Sequence, residues 1–278
     1  MPIVRAGDID IHYEMKGSGP LLLLVAGTGY PGATWPATFV EPLTEFVTVV
    51  TFDHRGTGAS SSTDGPYSTR LFATDASTLI GELGYQDAHV LGHSMGGRVA
   101  QWMAIDAPGS IRGLVLAASG PGQYRQDRPL TRGIPLVTAE QMIELGYEQY
   151  MAIHIEETFF TNEFASAHPE VVSALVDAFW DNRPSLRDYL KHIVARQQHQ
   201  TAERLGEIAA PALVLVGDHD TGVRGSGTHL EQSAYLARHL ANSTLEVLSN
   251  TPHGYIWQAP ERTAKVVVDW IASLEAGS

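Results

Sequence analysis

Short apolar runs alternate with helical stretches along most of this chain, and this alternation strongly limits how it can fold. The runs end at glycine, proline or polar residues; they are PLLLLVAG, VTVVTFDHRG, DAHVLG, IRGLVLAAS, PALVLVGD and STLEVLSN. Before them, IDIHYEMKG alternates apolar and polar residues up to Gly17 and predicts a half-exposed strand. Runs that are apolar throughout are typical of strands buried on both faces of a parallel sheet. The pattern predicts an α/β fold with a mostly parallel sheet of about eight strands, the first two forming an antiparallel edge.

Helical periodicity fills the intervals between these runs. Apolar residues recur at helical spacing in segments 71–83, 95–107, 229–240 and 260–274. Strands that alternate with helices form βαβ units with right-handed crossovers. The sequence therefore predicts a sheet flanked by helices.

One long segment, residues 121–206, breaks the alternation. It contains no apolar run of comparable strand quality, but it has helical stretches such as EQMIELGYEQYMAIHIEETF. A segment of this length is too long for a plain loop. We therefore predict a helical cap subdomain over residues 121–206, and a core domain formed by residues 1–120 and 207–278.

Composition excludes several classes of function. The 278 residues carry 18 basic and 31 acidic side chains, a net charge of −13, and no cysteine. Nucleic-acid binding needs a basic surface, so no nucleic-acid partner is expected. Without cysteine there is no disulfide, no thiolate catalysis and no cysteine-based zinc site, and we expect no metal.

The location of the protein is predicted from what its sequence lacks. The first residues, MPIVRAGDIDIHYEMKG, have no apolar signal-peptide core, and the run LLLLVA is far too short to span a membrane. We expect a cytoplasmic protein without a membrane partner. No stretch indicates an interface, so both a monomer and a homodimer fit the sequence.

A single serine stands between glycines in GHSMGG, residues 92–97, after an apolar run and before a helical stretch. A nucleophile at the tip of a strand–turn–helix occupies a strained backbone, and small neighbours let strand and helix approach closely. The helix N-terminus favours negative charge developing there. We interpret Ser94 as a nucleophile; the alternative is a tight turn with a solvent-facing serine. His93 is interpreted as a packing or hydrogen-bonding residue.

A serine nucleophile needs a histidine base and a carboxylate that orients the base. On a parallel sheet these groups come from loops at the carboxyl ends of strands. The run PALVLVGD ends in Asp218, and Asp220 lies further into the loop, so we favour Asp220 as the acid. His253 follows the final strand and is the predicted base. His219 and His229 are set aside as local residues.

Two backbone N–H donors are needed to stabilise the tetrahedral intermediate of acyl transfer. One is expected from Met95, the residue after the nucleophile. The other is expected from AGTGYPGATW, residues 26–35, which we call the oxyanion loop. Its glycines let the backbone approach a substrate, and we choose the N–H of Thr28, with that of Gly29 second.

These motifs together resemble the α/β-hydrolase fold superfamily over essentially the whole chain. The matching pieces are the glycine loop at 27–32, DHRGTGAS at 53–60, GHSMGG at 92–97, GDHD at 217–220 and PHG at 252–254. The stretches DHRGTGASS, GPYS and LGHSMGGRVAQWMA resemble small-molecule esterases and lactonases of the 3-oxoadipate enol-lactonase type. The resemblance implies an α/β-hydrolase fold, a triad in the order serine, aspartate, histidine, and no cofactor.

The chain departs from the family at the start of the oxyanion loop. The family often carries His-Gly there, whereas this chain has Ala26 and Gly27. The loop must therefore have a different hydrogen-bond anchor. In the loop after VVTF, Asp53 and Arg55 are expected to hold the backbone through a charged pair.

Substrate contacts are expected from the oxyanion loop, the predicted cap and the loop after the base. Most aromatic side chains of such a cap pack against the core, but some must line the pocket. The substrate-binding candidates are Gly29, Tyr124, His154, Phe160, Trp180 and Trp257. Basic residues that could bind a substrate carboxylate, although a solvated helix face explains them more simply, are Arg183, Arg187, Lys191 and Arg196.

The predicted activity is hydrolysis of a carboxylic ester or lactone of a small molecule through an acyl-enzyme. The same triad also serves carbon–carbon bond hydrolysis of a vinylogous diketone, and perhydrolase or cofactor-free haloperoxidase chemistry. A non-catalytic ligand sensor is the remaining alternative. Haloalkane dehalogenase and epoxide hydrolase chemistry are disfavoured, because their nucleophile is an aspartate.

Overall fold

An eight-stranded sheet forms the centre of the computed structural model, which describes residues 2–125, 134–224 and 227–277. The strands of the described residues are β1 Ile3–Ala6, β2 Ile9–Lys16, β3 Leu21–Val25, β4 Thr48–Phe52, β5 Ala88–His93, β6 Ile111–Ala117, β7 Ala212–Gly217, β8 Val223–Arg224, β9 Gly227–Thr228 and β10 Ser243–Leu248. Strands β8 and β9 pair only with each other, and the other eight form the central sheet. The sheet has the order β1-β2-β4-β3-β5-β6-β7-β10, and only the β1–β2 and β2–β4 pairs are antiparallel. The predicted eight-stranded, mostly parallel sheet with an antiparallel edge is confirmed.

Helices flank the sheet, as predicted. They are α1 Ala37–Thr44, α2 Thr69–Glu82, α3 Met95–Asp106, α4 Ile134–Leu145, α5 Tyr147–Phe159, α6 Asn162–Ala167, α7 Pro169–Asp181, α8 Leu186–Gln197, α9 His229–His239, α10 Tyr255–Gln258 and α11 Pro260–Glu275. The four helical segments predicted from periodicity correspond to α2, α3, α9 and α11. Helix α1 was not predicted, because it spans only eight residues and contains Pro42. The short β8–β9 hairpin was not predicted either.

The core consists of two apolar layers, one on each face of the sheet. Alternate residues of β3 divide between them: Leu23 faces the layer formed with α2, α3 and α9, and Leu24 faces the layer formed with α1, α5, α7 and α11. All five residues of β3 are buried, as expected for a strand covered on both faces. The continuous run of leucines in the sequence therefore reflects burial on both sides.

Helices α4 to α8 follow β6 and precede β7, and no strand occurs in the described part of residues 121–206. That these residues form a separate cap subdomain stays a prediction. Within the described ranges, none of the helices combines the length and the apolar character needed to cross a membrane.

The loop after β4 is held by charges, but not by the predicted pair. Arg55 makes two hydrogen bonds of 2.7 Å to Asp75 on α2, and does not pair with Asp53. The Asp53 carboxylate instead accepts from the amides of Gly32 at 2.7 Å and Ala59 at 2.9 Å. The prediction of an Asp53–Arg55 pair is wrong because the Arg55 side chain extends to the neighbouring helix.

The carboxyl edge of the sheet aligns the loops that carry the predicted triad. In the strand register His93 of β5 pairs with Ala117 of β6, Ala117 pairs with Leu215 of β7, and Leu215 pairs with Glu246 of β10. The chain therefore leaves β5, β7 and β10 at one level and on one side of the sheet. Functional groups on these three loops can meet there.

We expect the protein to lose stability in mild acid because three of its buried histidines are held in the neutral form. Burial lowers the pKa of His54 and of His93 to about 3 and that of His192 to about 4. Unfolding exposes these rings, which then take up protons below about pH 6.5. As the pH falls from about 6.5 towards 4, the free energy of unfolding should decrease by about 1.4 kcal/mol per pH unit for each ring.

Urea denaturation at several pH values measures this slope. His54→Gln should reduce it by the contribution of one ring. A free energy of unfolding that stays constant between about pH 7 and pH 5 would contradict burial of these rings in the neutral form.

Candidate active site

Ser94 occupies the sharp turn between β5 and α3. Its φ of 56° and ψ of −115° are unusual for a residue with a side chain. A Cβ at Gly92 would overlap the backbone of Gly96, and a Cβ at Gly96 would overlap the carbonyl of Val25. The glycines are therefore required because strand and helix backbones touch at this turn.

The backbone on both sides of the Ser94 side chain is fixed. Its amide donates to the carbonyl of Ala117 at 2.8 Å, and its carbonyl accepts from the Ser119 hydroxyl at 2.8 Å. The neighbouring residues His93 and Met95 are buried, whereas Ser94 is partly exposed. The turn thus presents one hydroxyl at the N-terminus of α3.

Asp220 and His253 are joined directly. His253 Nδ1 lies 2.7 Å from Asp220 Oδ2, and both side chains are buried. Asp218 has a different function: its Oδ1 accepts from the amide of Thr251 at 3.2 Å and so ties the loop after β7 to the loop after β10. The structure therefore brings Asp220, and not Asp218, to the predicted base.

A second histidine binds the same carboxylate. His229, the first residue of α9, places Nδ1 2.9 Å from Asp220 Oδ1, and its ring stacks on that of His253 with centroids 4.4 Å apart. Setting His229 aside as a local residue was wrong. Its place at the start of the helix that follows β7 was the available signal, because that helix begins at the carboxyl edge of the sheet.

The Asp220 carboxylate is kept ionised by its partners. Burial by itself would raise the pKa of Asp220, but the positive charge that His229 and His253 carry when protonated, together with their hydrogen bonds, outweighs it and holds the pKa below its ordinary value. An ionised carboxylate can only accept hydrogen bonds, so Nδ1 of His253 carries the proton. Nε2 of a neutral His253 then has the lone pair that a general base needs.

Ser94 and His253 share the carboxyl edge without a direct hydrogen bond. Among the described residues, none joins Ser94 Oγ to the imidazole. Hydrogen bonds between a nucleophile and its base are often long before substrate binds.

His93 contacts His253 through a hydrogen bond and through its ring, in agreement with the predicted packing or hydrogen-bonding role. Its Nε2 donates to the carbonyl of His253 at 3.0 Å. The ring contacts those of His253 and Trp257, with centroids 4.8 and 5.2 Å away. Burial, with the nearby charge of His253, lowers the pKa of His93, so the ring is neutral near pH 7.

The oxyanion loop adjoins Ser94. A Cβ built on Gly27 would lie 3.4 Å from the Cβ of Ser94. In the described part of the chain, the amides of Thr28 and Met95 donate to no protein acceptor. The amide of Gly29 does have a partner, since it donates to His192 Nδ1 at 3.3 Å. Two N–H groups thus remain available beside Ser94.

Phe160 and Trp257 lie near Asp220 and His253. Phe160 lines a pocket of about 550 Å³ together with His219, Asp220 and His253. Trp257 Nε1 donates to the carbonyl of Thr34, and its ring packs against His93. Both residues therefore bound the region around His253.

The other substrate-binding candidates from the helical segment contact different side chains. Tyr124 packs on Tyr235 of α9, with ring centroids 4.2 Å apart. His154 stacks on Tyr150, and Trp180 lies beneath the Arg183 guanidinium, 4.0 Å from the ring centroid. These contacts do not connect the three residues to Asp220 or His253.

The three groups around Asp220 also have the composition of a metal site. Ligand atoms of Asp220, His229 and His253 lie within 4.8 Å of one another. Two imidazoles and a carboxylate are a donor set that transition metals accept. Here, however, each Nδ1 stands at hydrogen-bonding distance from its own carboxylate oxygen, so a hydrogen-bonded acid–base cluster accounts for all three side chains.

Comparison with known proteins shows the family to which this chain belongs. A protein of Azorhizobium caulinodans that is named as the carbamate hydrolase RutD is 33% identical to this chain, and the match covers 57% of this chain and 68% of the length of that protein. The 2-hydroxy-6-oxononadienedioate/2-hydroxy-6-oxononatrienedioate hydrolase of Paraburkholderia xenovorans is 29% identical over 96% of this chain and 92% of its own. An enol-lactonase structure from Burkholderia xenovorans superimposes with a TM-score of 0.84 at 22% identity, covering 98% of this chain and 100% of that one. The sequence profile of the α/β-hydrolase fold matches residues 19–260, and the chain belongs to this family of hydrolases.

Proposed function

We propose that this protein is a serine hydrolase that cleaves a carboxylic ester or lactone of a small molecule. The observation that carries the proposal is the buried pair of Asp220 and His253, in which Oδ2 and Nδ1 lie 2.7 Å apart. The pair lies at the sheet edge where the strained turn presents Ser94. Strain at a residue of this kind is found where function requires it. The cytoplasmic location and the monomer or homodimer state stay predictions from the sequence.

The reaction follows from the roles of these groups. Ser94 Oγ attacks the carbonyl carbon while His253 Nε2 takes its proton, and Asp220 holds the imidazolium in place. The tetrahedral intermediate collapses when His253 returns the proton to the leaving oxygen, which gives an acyl-enzyme and an alcohol. Water, deprotonated by His253, then attacks the acyl carbon and releases the acid with Ser94 restored.

The N–H groups of Thr28 and Met95 are assigned as the donors that bind the negatively charged oxygen of the tetrahedral intermediate. Neither amide has another acceptor among the described residues, whereas the amide of Gly29 donates to His192. This difference favours Thr28 over Gly29 as the second donor. Each donor is expected to contribute about 3–4 kcal/mol to stabilisation of the transition state.

A neutral substrate fits the basic residues better than a dianion does. Arg183 donates to the carbonyl of Trp180 at 2.6 Å, Arg187 pairs with Asp64, and Lys191 contacts Asp188. These three cations of the helical segment are thus engaged in local contacts. An uncharged ester or lactone needs no cation in the pocket.

Carbon–carbon hydrolysis is the second candidate. The relative from Paraburkholderia xenovorans matches almost the whole chain, and its name specifies a dicarboxylate with a 6-oxo group. The same three side chains would serve such a substrate, but two carboxylates would require cationic partners. Among the described residues, no arginine or lysine lines the pocket beside Asp220 and His253, which favours the ester or lactone.

Replacing Ser94 by alanine should abolish turnover of p-nitrophenyl butyrate, with a loss on the order of 10⁶ in kcat because the nucleophile is removed. Ser273→Ala, on the surface of α11, is the matched control and should keep full activity. The substrate panel should include a five-membered lactone and a 2-hydroxy-6-oxo dienoate. Cleavage of the dienoate alone would overturn the ester proposal in favour of carbon–carbon hydrolysis, and substantial activity of Ser94→Ala would exclude the mechanism.

The two aspartates of the loop after β7 should differ sharply. Asp220→Asn removes the ionised acceptor of His253 and should lower kcat by about 10⁴. In Asp218→Asn the amide oxygen can still accept from Thr251, so kcat should fall by less than about tenfold. Steady-state kinetics of both variants make the comparison, and the reverse ranking would mean that Asp218 is the acid.

His229→Leu should lower kcat by about tenfold and leave KM nearly unchanged, because one oxygen of the buried carboxylate loses its donor. His229→Asn, which keeps a donor near the position of Nδ1, should recover much of the loss. His239→Leu, at the exposed end of the same helix, is the control. Equal kcat values for His229→Leu and wild type would show that His229 does not orient the acid.

A further inference from the structure

Helix α8 reaches across the oxyanion loop through His192. Its Nδ1 accepts from the amide of Gly29 at 3.3 Å, and its Nε2 contacts the carbonyl of Arg55 at 2.9 Å. The side chain is fully buried. Both ring nitrogens are therefore committed to the backbone of loops that follow two different strands, β3 and β4.

These two contacts fix the tautomer of His192. A carbonyl oxygen can only accept, so Nε2 must carry the proton that reaches Arg55. Nδ1 of a neutral ring then has a lone pair, which is what the N–H of Gly29 requires. Burial lowers the pKa of His192 to about 4, so the ring is neutral near pH 7 and keeps both bonds.

The bond to Gly29 controls the direction of one peptide group in the oxyanion loop. The amide of Tyr30 donates to the carbonyl of Gly27 at 3.2 Å, which closes a four-residue turn. Gly29, the third residue of that turn, has a φ of 75°, as in a type II turn. Type I and type II turns differ by a flip of the central peptide, here the one between Thr28 and Gly29. His192 binds the N–H of this peptide in its type II orientation.

The remainder of α8 is fixed independently of any substrate. The Tyr67 hydroxyl donates to Asp188 at 3.0 Å, and Lys191 Nζ donates to the carbonyl of Thr63 at 2.6 Å. The Tyr189 ring covers Gly29 so closely that a Cβ on the glycine would overlap it. Helix α8 thus approaches the oxyanion loop from an anchored position.

We propose that His192 is a positioning residue: by binding the N–H of Gly29 it ties the turn of residues 27–30 to helix α8, and so holds the neighbouring N–H of Thr28, which belongs to the preceding peptide, in place for the developing oxyanion. The inference rests on the proposed serine hydrolase function. Ala26 has no polar side chain that could anchor the start of this loop. The anchor comes instead from a helix whose histidine lies 163 residues further along the chain than Gly29.

Two substitutions separate the two bonds of His192. In His192→Asn the amide oxygen lies near the position of Nδ1 and can accept from Gly29. In His192→Gln the amide nitrogen lies near the position of Nε2 and can donate to Arg55. His199→Asn is the matched control, because His199 is also buried on this side of the sheet but binds Thr69 and Thr201.

The first measurement is hydrolysis of p-nitrophenyl butyrate together with inhibition by 1,1,1-trifluoro-2-hexanone, a ketone whose serine adduct carries an oxyanion. His192→Gln should lower kcat by about tenfold to a hundredfold and weaken the ketone similarly, with KM changed by less than about threefold. His192→Asn should retain most of both properties. The control should change neither, after correction for its folded fraction by circular dichroism.

Equal kcat values for His192→Gln and His192→Asn would overturn the inference in favour of a structural role. So would a rise in KM for His192→Gln by the same factor as the weakening of ketone binding. The tautomer gives a test without turnover, because ¹⁵N NMR of the imidazole should show a protonated Nε2 and an unprotonated Nδ1. A protonated Nδ1 near pH 7 would also overturn it. If the wild type lacks Ser94-dependent hydrolysis, the proposed function fails, whereas the NMR result still decides whether His192 accepts from Gly29.

Discussion

The buried carboxylate of Asp220 receives one imidazole N–H on each of its two oxygens, and the geometry of the site follows from this pair of bonds. An isolated ionised carboxylate would be very unfavourable in the protein interior. Two charge-assisted hydrogen bonds compensate for the lost hydration and also fix which nitrogen of His253 carries a proton. They hold together the loop after β7, the start of α9 and the loop after β10.

Aromatic side chains complete the surroundings of this cluster. The Phe159 ring meets His253 edge-on with centroids 5.6 Å apart, and it also packs against Trp257 and Tyr30. An apolar wall of this kind limits access of water and strengthens the electrostatic interactions behind it. The helical segment between β6 and β7 supplies Phe159, so that segment forms part of the surroundings of His253.

Local sequence patterns were sufficient to predict the sheet and the loops at its carboxyl edge that carry Ser94, Asp220 and His253, whose catalytic roles stay predictions. Strand β3 was predictable because it is apolar throughout, and Ser94 because its neighbouring glycines are needed at the turn itself. His192 was not predictable, because it lies on a helix 163 residues away from the glycine whose amide it binds. Arg55 was assigned to the wrong carboxylate for the same reason, since Asp75 lies on another element. Side chains that meet only through tertiary packing leave no spacing signal in the sequence.

The close approach of Gly96 to the carbonyl of Val25 has a consequence for how such a site can diversify. Val25 ends β3, directly before the oxyanion loop, and Gly96 lies two residues after Ser94. The turn at Ser94 and the start of the oxyanion loop are therefore held in register by main-chain contact, to which the His192 side chain adds its bond at Gly29. Side chains of helices α4 to α8 other than His192 can therefore differ without altering the main-chain contact that sets the distance between the Ser94 turn and the end of β3.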